Sequence, residues 1–432
     1  MTTQIFAGFI LDLIMKRRDF IFNATGMVAA TMSYEQLYTR MQNEMRQVTS
    51  KTHYDVIVIG VGSMGAATCY HLSKQGHQVL GLEQFDIPHE YGSHAGQSRI
   101  IRKAYGEDPD YVPLLERAYD NWKKLETETG AQLYFKTGLV YFGGPQDKFM
   151  ETIKESSAKY NIPVHRLTAA ACSTKYPQFK LPSDFQRLEE PDAGFLTPER
   201  CILVMVEQAI NRGAVIRTRE KVIEWKRVNG VVQVRSDRNT YTAKKLVVTA
   251  GPWAAKMLPG VASKLKVVRQ VLAWMKPKRW DDYTLNKFPC WIIQDGSGDG
   301  YGFPILPVGK FGGPVGLKIA LHQGISDTID PDAVNRNTSA TDEQALINFM
   351  NKFFPDSYES TLAIKTCLYT NTPDYNFILD FLPGYDKDVA IAAGFSGHGF
   401  KFVSVVGEIM ADLASKGSTD LPIGFLSARR FE

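Results

Sequence analysis

Three stretches of this 432-residue chain carry cations in settings unlike an ordinary solvated surface. The first, FDIPHEYGSHAGQSRIIRKAYGE, has no apolar periodicity and crowds Ser93, His94, Ser98, Arg99 and Arg102 together. Arg99 and Arg102 are three apart, so a helical turn over Ser98–Ala104 would set both guanidiniums on one face, where they can hold one anion. The second is the run from Gly316 to His322, in which Leu317, Ile319 and Leu321 alternate with Lys318, Ala320 and His322. A strand reading puts Lys318 and His322 on the same face. A strand lysine taken alone usually points to water. The third, VAIAAGFSGHGFK, reads as a strand over Val389–Ala393 that runs into Gly394, Gly397 and Gly399 and then a helix. The free N–H groups at such a helix start can face a group that becomes electron-rich.

The element that positions these residues is the stretch from Tyr54 to Glu83, YDVIVIGVGSMGAATCYHLSKQGHQVLGLE. Tyr54 and Val56–Ile59 make a short buried parallel strand that stops at Gly60. Gly60, Gly62 and Gly65 give G-x-G-x-x-G, followed by a helix beginning near Ser63 and Met64 and stopping at Gly76. A second strand, Gln78–Leu82, ends on Glu83. Gly60 allows the tight turn, Gly62 lets backbone approach a pyrophosphate, and Gly65 lets helix and strand pack closely. Glu83 at the strand end can accept both ribose hydroxyls. The glycines alone are weak evidence; strand, helix and acid in this order point to a dinucleotide, and the acid argues against a 2′-phosphate. Downstream, a helix is predicted from Tyr111 to Gly130 and another after Thr197-Pro198, running to Gly213. The strand Lys245–Val248 leads into Thr249-Ala250-Gly251, where small residues let backbone come close to a ligand on the first glycine loop. Residues 267–365 read as aromatic-rich strands and hairpins, with a capping box at Thr341–Gln344 opening a helix to Phe354.

The composition, 44% hydrophobic and 22% charged, is that of an ordinary globular protein, and a net charge of +4 makes no case for nucleic acid. Five cysteines, scattered and odd in number, argue against a disulfide framework or a metal site. Near the N-terminus, Lys16-Arg17-Arg18-Asp19-Phe20-Ile21 and the mildly apolar run after it match a twin-arginine export signal, although no A-x-A cleavage site follows. The charges at Asp12 and Lys16–Asp19 interrupt any apolar run long enough to span a membrane. Met15 is a candidate true start, and residues 33–50 read as a linker or surface helix. Export implies a periplasmic protein; an accidental arginine pair implies a cytoplasmic one.

The runs DVIVIGVGSMGAA, GSHAGQSRIIRKAYGE, YGFP with GLK and a later histidine, KTCLYT, and AAGFSGHGFK stand in the order found in one family. From about Asp55 to the C-terminus the chain resembles the monomeric sarcosine oxidases and N-methyl-tryptophan oxidases, amine-oxidising flavoproteins of the D-amino-acid oxidase superfamily. The resemblance implies an α/β (α+β) fold with a Rossmann-like FAD-binding domain of the glutathione-reductase type and an interleaved antiparallel-sheet substrate domain. The expected division is 54–135, 192–264 and 366–432 for FAD, and 136–191 and 265–365 for substrate, after an N-terminal extension, 1–50. It implies that Gly60, Gly62, Ser63, Met64, Gly65, Glu83, Ser98, Gly397 and Gly399 hold FAD, and that Cys367 forms a thioether to the flavin. By the same likeness Arg99 lies beside the flavin ring, Arg102 and Lys401 hold the substrate carboxylate, and Tyr301, His322 and Tyr369 line the pocket. Lys318 matches the lysine where oxygen is reduced to hydrogen peroxide.

Two departures bear on substrate: Ala95 stands where sarcosine oxidases carry a second histidine, and Ile292 where a pocket methionine is usual. Sarcosine itself therefore does not carry over. The expectation is an FAD-dependent oxidase of N-methyl or other secondary amino acids, acting as a monomer on a small-molecule substrate and O2, with no metal. The rivals are a flavin dehydrogenase that feeds a quinone or carrier, and an exported flavin-binding protein without turnover.

Overall fold

The apolar run at Val56–Ile59 is the centre of a strand, His53–Ile59, whose valines and isoleucines are fully buried. The computed structural model describes residues 51–296, 299–322 and 328–432, and Thr52–Glu432 packs as one unit. The twin-arginine run and the polar stretch 33–50 lie outside the described residues. Among the described residues no helix is long and apolar enough to cross a membrane.

His53–Ile59 pairs in parallel with Val79–Leu82 on one side and Thr240–Val248 on the other. These strands lie in an eight-stranded sheet with Val222–Val228, Val231–Ser236, Val215–Arg217, Ile378–Phe381 and Val389–Ala393. Strand pairs buried on both faces need near-continuous apolar sequence, which explains why VIVI and VAIAA carry no polar alternation. The helix Ser63–Lys74 follows the first strand and packs against Val403–Lys416. Gly407 permits this contact, since a Cβ there would stand 2.4 Å from the Ala67 Cβ.

A second eight-stranded sheet runs in the order 358–371, 266–277, 317–322, 299–303, 290–294, 139–143, 186–190, 165–166. It is antiparallel except where Cys290–Gln294 runs parallel to Leu139–Gly143. The strand Lys266–Pro277 shows what the two-residue period does here. Val271, Ala273 and Met275 enter the apolar core of this sheet, whereas Leu272 and Trp274 pack with Ala320 and Cys367 on the opposite face. The strand Tyr358–Asn371 belongs to this sheet along its whole length and so spans position 365.

Three expectations change. Arg99–Ile101 is a strand, paired antiparallel with Gly194–Leu196, and not a helical turn. Two successive isoleucines favour the extended backbone, and Gly194 lets the sheet close, because a Cβ there would meet the Phe135 carbonyl oxygen at 2.0 Å. Arg99 and Arg102, three apart on extended chain, therefore do not share a face. The capping box lies two residues earlier than expected. Ser339 caps Ala340–Phe353, its hydroxyl accepting from Asp342 N at 3.2 Å while the Asp342 carboxylate accepts from Ser339 N at 2.8 Å. Between the hairpin strands Asp299–Phe303 and Leu317–His322, one helical turn forms at Val308–Phe311.

Candidate active site

A cavity of about 500 Å³ runs along the C-terminal ends of the parallel strands and on to the face of the second sheet. At one end lie Gly60, Gly62, Ser63, Met64 and Glu83, with Thr249, Ala250 and Gly251 opposite. Gly60 has φ +87°, and a Cβ there would come 2.8 Å from Ala250 Cα; one on Gly65 would stand 1.9 Å from the Gly60 carbonyl oxygen. Both glycines are thus required by the fold itself. Gly65 does not open onto the cavity; it sets the helix against the strand. Gly62 is different. A Cβ there would meet nothing closer than His94 Nδ1, at 3.8 Å, so the protein leaves room above this backbone for a molecule rather than for a side chain.

Glu83 is buried and accepts from Val61 N and Phe85 N, each at 3.0 Å. Burial pushes its carboxyl up to about 7 against these backbone bonds. His89 Nε2 stands 3.7 Å away, but burial holds that imidazole down at about 4, so at neutral pH the contact is not an ion pair. Two further buried polar atoms on the cavity wall, His94 Nε2 and Thr370 Oγ1, have no protein partner. Unpaired buried polar atoms are costly, so these two mark strained polar positions next to the cavity.

At the other end the cavity meets Arg99, Arg102, Tyr301, His322, Tyr369, Gly397, Gly399 and Lys401. The Tyr301 and His322 rings lie 4.9 Å apart and those of His322 and Tyr369 5.7 Å, forming one aromatic wall. The atoms crowded around His322 lower it to about 4, and although the residue is exposed, its imidazole is neutral at neutral pH. Arg102 is held by both oxygens of Glu107 at 2.7 Å and lies 4.6 Å from the centre of the Tyr105 ring. Burial opposes the Glu107 charge, but Arg102, His398 and Lys401 outweigh it and keep this carboxyl at about 2. Lys401 Nζ donates to His398 O at 2.7 Å, and burial together with Arg102 lowers the amine to about 7. His398 Nδ1 bonds to the Tyr105 hydroxyl at 2.6 Å and its Nε2 to Tyr375 O at 3.0 Å. The end of the cavity is therefore a clamp of two cations and one anion beside neutral aromatic groups.

Lys318, Cys367 and Ser98 stand one layer behind the cavity wall, which Arg99 lines. Lys318 Nζ donates to the carbonyls of Gly96 and Ser98 and to Ser98 Oγ. Burial and the nearby Arg99 guanidinium lower this amine well below the ordinary lysine range. Cys367 is buried, with its sulfur 3.7 Å from Arg99 Nη2 and 3.6 Å from Ser93 O. Arg99 itself is tied to Ser98 O, Ser93 O and Ala95 O at 2.9, 3.0 and 2.6 Å. Ser98 serves through its carbonyl and hydroxyl as the seat of Lys318.

The sequence reading missed Glu107, His398 and Glu199. Glu199 accepts from Gly96 N and Gln97 N at 2.8 and 3.1 Å and so shapes the loop under Lys318. A carboxylate five residues past Arg102 was the only signal for Glu107. The separation of Glu199 from its loop, about a hundred residues, left no local signal at all.

The model for the family described as FAD dependent oxidoreductase matches residues 55–413. Monomeric sarcosine oxidase of Streptomyces avermitilis is 37% identical over 87% of this chain and 97% of its own. Human peroxisomal sarcosine oxidase is 35% identical over 85% and 93%, and N-methyl-L-tryptophan oxidase of Salmonella dublin is 34% identical over 84% and 94%. Among solved structures, the amino acid oxidase NikD in its open form superposes with a TM-score of 0.76 at 24% identity, covering 87% of this chain and 98% of that one. L-proline dehydrogenase from P. horikoshii gives 0.72 at 22% identity, over 88% and 98%; both show the fold. With relatives this similar along nearly their whole length, the chain belongs to the FAD-dependent oxidoreductases, in the branch of the monomeric sarcosine and N-methyl-L-tryptophan oxidases.

Proposed function

We propose that the protein oxidises N-methyl or other secondary amino acids at the carbon next to nitrogen, giving an imine that water hydrolyses and passing the electrons to dioxygen to form hydrogen peroxide. The observation that carries this reading is that one cavity joins a dinucleotide-type glycine loop to a clamp built from Arg102, Glu107 and Lys401. FAD fits the near end: Gly60, Gly62, Ser63 and Glu83 would hold its nucleotide half, with the space left open above Gly62. When bound, FAD supplies the electron acceptor for the amine.

The protein's part is orientation. A guanidinium and an ammonium fix the substrate carboxylate, and a fixed carboxylate sets the amine-bearing carbon. Tyr301, His322 and Tyr369 exclude water from the reacting end and leave space for the N-alkyl group; with both His322 and His398 held neutral, the pocket adds no further positive charge to repel the amine. We further propose covalent attachment of FAD through Cys367, supported by the KTCLYT run and by the sulfur lying against Arg99. We propose export by the twin-arginine route on the strength of Arg17-Arg18, and action as a monomer; fractionation of cells expressing wild type and a double Arg17→Lys, Arg18→Lys variant tests the first.

The deciding experiment is a screen of N-methyl and cyclic amino acids, first without oxygen and then with it. The reading expects at least one to bleach the flavin anaerobically and air to restore it with stoichiometric peroxide. Bleaching that dyes but not air reverse would make the protein a dehydrogenase, and no bleaching at all a binding protein.

A further inference from the structure

Two buried cations in one clamp repel each other, and Arg102 adds to burial in lowering the Lys401 amine. Glu107 opposes that repulsion, but its side chain is 27% exposed and pairs with Arg102 where, on the reading above, a substrate carboxylate binds. A partner that substrate displaces cannot hold the clamp together while substrate is bound. Tyr105 is a partner of the other kind. It is wholly buried and does not line the cavity. Among the described residues it is the one ring over which both cations lie, Arg102 at 4.6 Å and Lys401 at 5.2 Å from its centre.

The ring itself is firmly held. Tyr111, Phe402 and His398 pack on it with centres 5.3, 5.4 and 5.9 Å away, Phe402 edge-on at 88°. Ser156 Oγ, from the helix Lys148–Tyr160, donates to Tyr105 O at 2.7 Å. The hydroxyl ties the ring to the Lys401 side of the clamp. Tyr375 O can only accept, so His398 Nε2 carries the imidazole proton in that 3.0 Å bond. Burial keeps this imidazole neutral, with its pKa down at about 4, which leaves Nδ1 to accept from the Tyr105 hydroxyl at 2.6 Å. The carbonyl of the same His398 accepts from Lys401 Nζ at 2.7 Å. Tyr105 therefore meets Lys401 twice, through its own face and through the residue that seats the amine.

Resting on the carboxylate clamp of the proposed function, we propose that Tyr105 is its positioning residue: the ring holds Arg102 and Lys401 at a fixed spacing and softens their repulsion once a substrate carboxylate has displaced Glu107. An aromatic face attracts a cation without bearing a charge. A permanent carboxylate in the same place would cancel the positive charge that the substrate needs, and an aliphatic side chain would leave the cations to repel each other across an apolar medium. A neutral ring supplies the attraction and leaves the clamp cationic. The charged and titratable groups that face Lys401, besides Tyr105, are Arg102 and Glu107 from the loop after Arg99–Ile101, His398 from its own turn, and His322 from the strand Leu317–His322. Both histidines are held at about 4 and Glu107 at about 2, so none of them titrates near 7, where Lys401 does.

Acetate titrated into the holoenzyme, followed in the flavin absorbance from about pH 5.5 to about pH 9, reads the amine, because binding weakens above the pH at which Lys401 loses its proton. In Tyr105→Leu that break should fall by about half a pH unit or more, the size expected for losing a cation–π contact to the charged form. Tyr105→Phe keeps the ring, and its break should stay within about 0.2 pH of wild type. Should Tyr105→Leu not fold, Tyr105→Met, an unbranched filler of the same space, is measured in its place. A ring that only fills space predicts the opposite sign, since a smaller residue lets water nearer and eases the burial that lowers the amine. A break that stays or rises in Tyr105→Leu or Tyr105→Met therefore overturns the proposal, as does one that falls equally far in Tyr105→Phe. Wild type with no break near 7, or with a break that survives in Lys401→Met, overturns the clamp and this inference with it. A wild-type break that Lys401→Met abolishes leaves the clamp standing and the Tyr105 variants to decide alone.

Discussion

Glu107→Gln tests the clamp most directly, because it makes a change in binding and a change in stability run in opposite directions. In the structure both Glu107 oxygens hold the Arg102 guanidinium at 2.7 Å, with the arginine side chain 4% and the glutamate 27% exposed. A substrate carboxylate that uses Arg102 must therefore exchange with Glu107. In wild type the ligand gains two charge-assisted bonds and the protein loses two, so little is left over. Glutamine offers at most one neutral acceptor, and a charge-assisted bond exceeds a neutral one by about 1 kcal/mol, which for two bonds is about 2 kcal/mol or about thirtyfold in affinity. Acetate, titrated into the holoenzyme and followed in the flavin absorbance, should bind about thirtyfold tighter to Glu107→Gln. Acetamide, of the same shape without the charge, should bind both alike. The same change leaves a buried guanidinium short of a countercharge, so the melting temperature should fall and recover further with acetate than wild type does. With Glu107 held at about 2, its own charge is present at every pH from 5 to 9, so any pH dependence of the difference in that range comes through Lys401, whose amine Glu107 helps to keep protonated. Equal acetate affinity in the two proteins, or tightening matched by acetamide, would mean that Arg102 does not seat the carboxylate and that its pairing with Glu107 is structural.

The remaining predictions concern three other residues. Lys401, lowered to about 7 by burial and Arg102, is charged below that pH and neutral above it in the free protein; acetate affinity should be flat below about 7, weaken by up to about tenfold per pH unit above it, and lose this slope in Lys401→Met. Acid-precipitated wild type should stay yellow and gain the mass of FAD, whereas Cys367→Ala should release the flavin; a colourless wild-type precipitate excludes the thioether. Lys318→Met should reduce its flavin at near wild-type rate but reoxidise in air about a hundredfold slower, a loss of about 3 kcal/mol; a full-speed reoxidation would return Lys318 to a structural role.

The legible parts of the molecule were those written in a short span with a period. The glycine loop needs strand, turn and helix in one stretch, and each residue's task at Gly60 and Gly65 is steric at contact range. Lys318 and His322 share a face because the strand period fixes it over four residues. The misreadings came where one local pattern admits two structures. Spacing of three serves an anion only on a helix, and the sequence RIIR does not state which backbone it adopts; the pairing partner Gly194–Leu196, far along the chain, decides it. Glu107 and Glu199 escaped for the same reason, since a loop carboxylate has no period, and its partner is known only once the sheets are assembled. Lys318 and Cys367 were found by type and motif, but that both lie behind the wall is a fact of packing.

The strand Arg99–Ile101 then turns an error into an explanation. Had these residues formed a helical turn, Arg99 and Arg102 would have met one anion together. As extended chain, the same four residues direct the two guanidiniums apart. Arg102 turns to Glu107, Tyr105 and the amino-acid clamp; Arg99 turns to Ser93, Ala95 and the sulfur of Cys367, above Lys318. On the proposed function, one group would bind a charge that the substrate brings, and the other lies against the sulfur proposed to carry the flavin. Both cations line the same cavity, so the separation is one of direction rather than of place. The strand Arg99–Ile101 and the residue that follows it thus keep the two cations apart, each with its own partners.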